Sequence, residues 1–285
     1  MKLLITGYSG FIGSYFIHKY KEKYNIKTFS FRENDINLLN FNDTNVIFHL
    51  SALVHQMRGA SKEEYERVNV TQTLQLAKKA KENGVKQFIF MSTVKVYGEE
   101  TDSMYTENTT CKPQDEYGKS KLKAENSLLE LADDNFNVSI IRTPIVYGYG
   151  VKANIKALIN LVNKVPLLPF GRIENKRSMV YIGNLCHLVD EVMQQKQSGV
   201  FLSSDDFALS TSKLIGIIAK NLNKKVYLLK IPLFETLLKL FKPSFHKRLY
   251  CSLEVDNSIT KEKLNLKNPY NVEEGIKYMI KGEDV

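Results

Sequence analysis

A short apolar run, Leu3-Leu4-Ile5, leads without a break into Thr6-Gly7-Tyr8-Ser9-Gly10-Phe11-Ile12-Gly13, and a helix-compatible stretch follows from about Phe11 to Tyr20. Three glycines at that junction limit what the chain can be. A tight turn, a backbone that approaches a ligand closely and a helix packed on a strand each need a residue without a side chain, and the helix N-terminus then faces an anion. A glycine triplet alone is weak evidence. Placed directly after an N-terminal strand and at the start of a helix, it has the context of a pyrophosphate-binding turn. Gly7, Ser9, Gly10, Phe11, Ile12 and Gly13 are therefore expected to cradle a dinucleotide.

The first half continues in the same rhythm, with short branched runs alternating with longer helix-like stretches, as in βαβ units. Strands are expected at Leu3–Thr6, Ile26–Phe31, Val46–Leu50, Gln87–Ser92 and Val138–Arg142. Helices are expected over Glu63–Asn83, ending at the stop signal Asn83-Gly84, and over about Asp115–Ala132. After Tyr147-Gly148-Tyr149-Gly150 the rhythm changes, and Pro166, Pro169 and Gly171 interrupt a loop. The expected fold is α/β: a Rossmann-like doubly wound parallel sheet over 1–148, rejoined by segments near 179–203, with a smaller α+β substrate-binding lobe in 149–285.

Charge narrows the function less than the turn does. The 285 residues carry 40 Lys plus Arg against 31 Asp plus Glu, a formal +9, which suits nucleic acid, an anionic membrane or a phosphorylated small molecule. The lysines are dispersed, as at Lys19, Lys21, Lys23, Lys78, Lys79 and Lys81, without the dense basic runs of a nucleic-acid groove. Three separated cysteines, Cys111, Cys186 and Cys251, fit neither a disulfide framework nor a paired-cysteine metal site and point to a reducing compartment. No apolar run has the length of a signal peptide or a membrane span, so a cytoplasmic protein is expected, without a metal and without stable membrane insertion.

The end of the second strand bears on the cofactor, because an acidic residue there recognises a ribose 2′-hydroxyl and a cation a 2′-phosphate. Phe29-Ser30-Phe31-Arg32 has no carboxylate before Glu33. Ser30 and Arg32 could hold a phosphate through charge-assisted bonds, which points to NADP(H); with Arg32 merely a surface cation and Glu33 on the ribose, NAD(H) is the alternative. In Tyr117-Gly118-Lys119-Ser120-Lys121 a phenol and an ammonium lie one turn apart on one helix face. The cation and an oxidised nicotinamide are both expected to favour phenolate, so that Tyr117 exchanges a proton with a substrate hydroxyl or carbonyl. A Tyr–Lys pair at this spacing also occurs on ordinary helices.

Together, the glycine turn, Met91-Ser92-Thr93 leading to Val96-Tyr97-Gly98, and Tyr117 through Lys121 resemble the extended short-chain dehydrogenases, which include nucleotide-sugar epimerases, dehydratases and reductases. The resemblance covers nearly the whole chain. It implies that Thr93 is the catalytic hydroxyl, that Lys121 anchors the nicotinamide ribose, and that Asn69 supports Lys121 through water. It also implies that Asp35-Ile36 meets the adenine, that Leu50-Ser51-Ala52 lines the cofactor with Ser51 in place of the usual alanine, and that Pro144 contacts the nicotinamide. Family dehydratases carry an Asp-Glu pair after the catalytic hydroxyl; Val94-Lys95 here makes 4,6-dehydration improbable.

On the substrate side the resemblance implies a base sandwiched by Leu168, Pro169 and Phe170, a diphosphate clamped by Arg177 with Arg248 as a second candidate, and further contacts from Lys95 and Asn154, with Asn154 or Lys152 compensating for Ile145 where relatives carry asparagine. Pro232–Leu253 is apolar on one side and basic elsewhere. A membrane-surface helix would fit it, but packing against the small lobe is expected, because Pro243 interrupts the pattern. The expected activity is C4 reduction of a UDP-linked 4-keto-6-deoxy-hexosamine in polysaccharide biosynthesis. UDP-hexose 4-epimerisation is the alternative and a non-catalytic dinucleotide sensor the third reading. A homodimer through the Glu63–Asn83 and Tyr117 helices is also implied.

Overall fold

The computed structural model describes residues 1–54, 60–101 and 103–282. The chain begins with β1 (Lys2–Thr6), α1 (Phe11–Tyr20), β2 (Asn25–Phe29), β3 (Val46–His49), α2 (Lys62–Tyr65), α3 (Gln72–Glu82), β4 (Gln87–Thr93), α4 (Glu116–Leu129), β5 (Asn137–Thr143) and β6 (Ile145–Tyr147). It continues through α5 (Ala153–Lys164), β7 (Leu167–Leu168), β8 (Met179–Tyr181), α6 (Ile182–Gln194), β9 (Gly199–Leu202), α7 (Thr211–Asn221), β10 (Tyr227–Leu228), α8 (Phe234–Phe241), α9 (Pro243–Tyr250), α10 (Ser258–Leu264) and α11 (Val272–Lys281).

Six strands form one parallel sheet in the order β2-β1-β3-β4-β5-β9. Alternation along the strands divides the interior between the two faces. Leu3, Ile5, Val46, Phe48, Ile89, Met91 and Ile141 join a cluster that extends through Phe16 and Leu185 to Phe170, Ile215 and Ile276. Leu4, Ile47, Phe88, Phe90, Val138 and Ile140 face the other way, onto Leu76, Ala77, Ala80, Ala124 and Leu128. The sheet is thus covered on both sides, as parallel strands require. The doubly wound order places two strands outside the first. Here only β2 lies there, because the link from Phe29 to Val46 contains only one short 3₁₀ turn, Ile36–Leu38.

Local chemistry sets the helix ends. Ser61 and Glu64 form a capping box at α2, Asp115 accepts from the Gly118 N–H at α4, and α3 ends where Gly84 takes φ +77°. Three expectations are corrected. β2 stops at Phe29 because the chain turns back at once, with Glu33 and Asn34 N–H donating to the Ser30 carbonyl. The Glu63–Asn83 helix contains a π turn, Glu66–Thr71. Pro232–Leu253 does not pack into the core as a unit: Pro243 opens α9 at the first helical position, where its missing N–H costs nothing, and α8 has no buried residue.

Candidate active site

A cavity of about 570 Å³ runs across the C-terminal ends of β1, β3, β4 and β5. Gly7, Ser9, Gly10, Phe11, Ile12 and Gly13 line it, with Ser30, Arg32, Leu50, Ser51, Ala52, Tyr117, Lys121 and Pro144. Gly7 has φ +67°, and a Cβ on it would lie 2.7 Å from the Leu50 carbonyl carbon and the Ser51 nitrogen; one on Gly13 would lie 2.7 Å from Tyr8 Cα. Gly10 begins α1 without a side-chain cap, and no acidic residue occupies the first turn, so its N–H groups suit a pyrophosphate. A cavity of this volume with an anion cradle at its glycine turn fits a dinucleotide.

Asp35 and Ile36 are not among the residues that line this cavity. The Asp35 carboxylate accepts from Asn37 N–H at 2.9 Å, and the Ile36 carbonyl accepts from Lys79 Nζ at 2.8 Å. The early end of β2 turns both away. Asn69 does not line it either: it lies fully buried in the π turn, where its amide donates to the Leu53 carbonyl (3.0 Å) and Ser120 Oγ (3.0 Å) and accepts from Leu53 N–H (2.8 Å). It therefore fastens the loop after β3 onto α4, and its direct bond in α4 is to the neighbour of Lys121.

Thr93 ends β4 and caps a 3₁₀ turn by accepting from Lys95 N–H, which leaves its hydroxyl proton available to a ligand. Thr93 and Tyr117, with Thr143 and Pro144, border both this cavity and a second one of about 380 Å³. Lys121 Nζ lies 4.1 Å from the centre of the Phe90 ring. Burial drives the ammonium down to about 7, with Glu125 opposing. Burial, then Asp115 and Tyr65, pushes the Tyr117 phenol up. The expected acidification of Tyr117 by Lys121 is thus not a property of the free protein: both groups favour their neutral forms in a site that hydrates charge poorly.

Sequence reasoning missed the polar network beneath this pair. Glu125, one turn beyond Lys121 and fully buried, receives Arg142 Nη2 at 2.6 Å and Nε at 3.1 Å as well as the Ser92 hydroxyl, while Arg142 Nη1 reaches the Tyr97 hydroxyl at 2.7 Å. A carboxylate four residues after Lys121 was the available signal; its partner on β5 was not visible in the sequence. His49 is held between Thr6 (2.7 Å) and Thr73 (2.9 Å), and burial lowers it to about 3, so it is a neutral structural group.

The second cavity is basic. Lys95, Asn154, Arg177 and Arg248 line it, joined by Lys247 and Glu99. Lys95 is shared between Asp115 (2.5 Å) and Glu99 (3.1 Å). Arg177 is half-buried and donates to the Cys251 carbonyl at 3.1 Å, and Arg248 reaches Asn154 Oδ1 at 3.3 Å. Ile145, Asn154, Arg177 and Arg248 are shared with a third cavity of about 180 Å³. Phe170 lines that third cavity. Leu168 and Pro169 are not among its lining residues, because Leu168 turns into the core from a strand paired with β10.

Residues 3–202 match the NAD dependent epimerase/dehydratase family. A UDP-glucose 4-epimerase of Vibrio cholerae is 38% identical, over 96% of this chain and 93% of its own length. An N-acetyl-alpha-D-glucosaminyl-diphospho-ditrans,octacis-undecaprenol 4-epimerase of Escherichia coli O157:H7 is 30% identical over 59% of this chain and 52% of its own. A dTDP-4-dehydrorhamnose reductase from Clostridium acetobutylicum superposes with a TM-score of 0.80 at 21% identity, over 100% of both chains. The two-sided parallel sheet, the glycine cradle and these matches agree: the chain belongs to the NAD dependent epimerase/dehydratase family.

Proposed function

We propose that the protein is a 4-epimerase of a diphosphate-linked hexose or N-acetylhexosamine, with UDP-glucose and UDP-N-acetylglucosamine as the substrates to test first. The observation that carries this reading is the junction of the two large cavities at Thr93 and Tyr117, with a dinucleotide-shaped cavity on one side and three cations, Arg177, Lys247 and Arg248, on the other. The similarity to a UDP-glucose 4-epimerase along most of both chains supports epimerisation over the reduction expected from the sequence. A bound nicotinamide dinucleotide would supply reversible hydride exchange at the sugar carbon.

The residues of the chain handle the proton. Tyr117 takes it from the C4 hydroxyl and returns it, Thr93 donates a hydrogen bond to the same oxygen, and Lys121 holds the ribose. The diphosphate rests against Arg177 and Arg248, whose planar forks suit phosphate oxygens. Val94 and Lys95, where dehydratases carry carboxylates, offer no acid–base pair for elimination. Incubation of the purified protein with either UDP-sugar, without added NADPH, is expected to give the C4 epimer by NMR. Lack of interconversion, together with stoichiometric NADPH oxidation on a 4-keto sugar, would establish the reductase instead.

Arg32 favours that second reading. It lines the cavity beside Ser30, in the position suited to a 2′-phosphate, and a net reductase needs an exchangeable NADP(H). Arg32→Ala is then expected to weaken NADP⁺ at least tenfold relative to NAD⁺, whereas an NAD⁺ preference that survives the change defeats it. We also propose a homodimer through the outward faces of α3 and α4, to be checked by sedimentation velocity.

A further inference from the structure

Among the described residues, α8 stands out for what it exposes. Leu237, Leu240 and Phe241 are 52%, 72% and 73% exposed, and Leu233, just before the helix, is 74%. Helical spacing puts Leu237, Leu240 and Phe241 on one side, while Glu235 and Lys239 point elsewhere. Half-buried Phe234 and Leu238 form the base of the helix, with the Phe234 ring 6.2 Å from that of Phe170. Leu229 and Ile231, 42% and 47% exposed, extend the apolar surface toward β10. From Leu222 to Lys242 the chain carries five exposed lysines, Lys224, Lys225, Lys230, Lys239 and Lys242, against the single carboxylate of Glu235. An exposed apolar ridge set among cations is complementary to an anionic bilayer, with the side chains reaching the acyl boundary and the cations meeting headgroups.

The ridge adjoins the third cavity through Phe170. Phe170, behind α8, also lines the third cavity, as do Phe245 and Leu249 of α9. The cavity wall is mostly apolar, with Asn154, Arg177, Ser210, Thr211 and Arg248 as its polar side chains: Ser210 caps α7, Thr211 Oγ1 donates to the Leu249 carbonyl, and Arg177 and Arg248 turn Nη1 toward the Cys251 carbonyl and Asn154 Oδ1. A wall so largely apolar suits an apolar chain, whose burial there is favourable. From the Thr93–Tyr117 junction outward lie the basic cavity with Arg177, Lys247 and Arg248, the apolar cavity that shares Arg177 and Arg248 with it, and the exposed apolar ridge.

That is the order of a glycosyl diphosphate whose carrier is a lipid. We propose that the exposed face of α8 docks the protein on an anionic bilayer and that the apolar cavity behind it receives the first isoprenoid units of a polyprenyl-diphospho-sugar. The proposal rests on the C4-epimerisation reading and adds to it the carrier and the place of reaction.

The test uses the full chain, vesicles of phosphatidylcholine and phosphatidylglycerol, and polyprenyl-diphospho-N-acetylglucosamine in those vesicles beside UDP-N-acetylglucosamine in solution. The wild type is expected to sediment with the vesicles, less so as salt rises, and to epimerise the lipid-linked sugar. Leu240→Glu with Phe241→Glu is expected to lower vesicle binding at least tenfold and turnover of the lipid-linked sugar with it, while circular dichroism and any turnover of the soluble sugar stay unchanged. Wild-type protein left in the supernatant, equal vesicle binding by the variant, or epimerisation of the nucleotide sugar alone would overturn the proposal. So would a change of sedimentation coefficient in the variant without vesicles, since the face would then join two copies of the chain. Failure on both sugars would overturn the epimerase reading itself.

Discussion

At the scale of single residues, the site is governed by burial more than by pairing. Tyr117 is pushed up and Lys121 down because both lie where water is scarce, so the apparent base strength of Tyr117 depends on what occupies the dinucleotide cavity. Tyr117→Phe is expected to reduce kcat by about 10²–10⁴-fold while NAD binding, followed by calorimetry, is retained; a variant that keeps its rate would remove Tyr117 from the chemistry. Lys121 also has a stability signature. Its ordinary value of 10.5 falls to about 7 on folding, so between these values the unfolded chain binds more protons and stability rises with pH. Urea titrations of the wild type and Lys121→Met from pH 7 toward pH 10 are expected to show the wild type gaining on the variant.

Elements carry these residues to one place, and here the sequence was only partly legible. The glycine turn was readable because it is local: a strand, three glycines and a helix follow one another directly. Tyr117 and Lys121 were readable because one helical turn fixes their relation. What escaped depends on register between distant segments. Glu125 meets Arg142 only because α4 lies across β4 and β5, and Leu168 is lost to the core only because β7 pairs with β10. Periodicity in Pro232–Leu253 revealed an apolar face but not what would cover it. Glu125→Gln, which leaves Arg142 buried without its carboxylate, is expected to cost about 3–5 kcal/mol in denaturant titration. A loss of a few tenths would mean the pair is dispensable.

On the scale of the whole molecule, one hydrophobic cluster runs from Leu3 in the first strand to Ile276 in the last helix, so sheet and lobe share their interior. Unfolding is expected as one cooperative transition in calorimetry; two separated transitions would show independent parts. NAD at about 100 times its Kd is expected to add about 2.7 kcal/mol, read as a rise in Tm. Gly7→Ala should abolish that rise, since its Cβ would meet Leu50 and Ser51 and its backbone is at φ +67°.

The loop that follows β3 faces two cavities at once. Leu50, Ser51, Ala52 and Val54 wall the dinucleotide cavity, Val54 also walls the basic one, and Asn69 grips the intervening Leu53 by both its backbone groups. With a cofactor in one cavity and a sugar diphosphate in the other, as proposed above, this shared strap would link the two thermodynamically. By reciprocity, the factor by which a sugar diphosphate tightens NAD is the factor by which NAD tightens the sugar diphosphate. Cutting the strap at Asn69 would weaken that mutual dependence along with the two affinities.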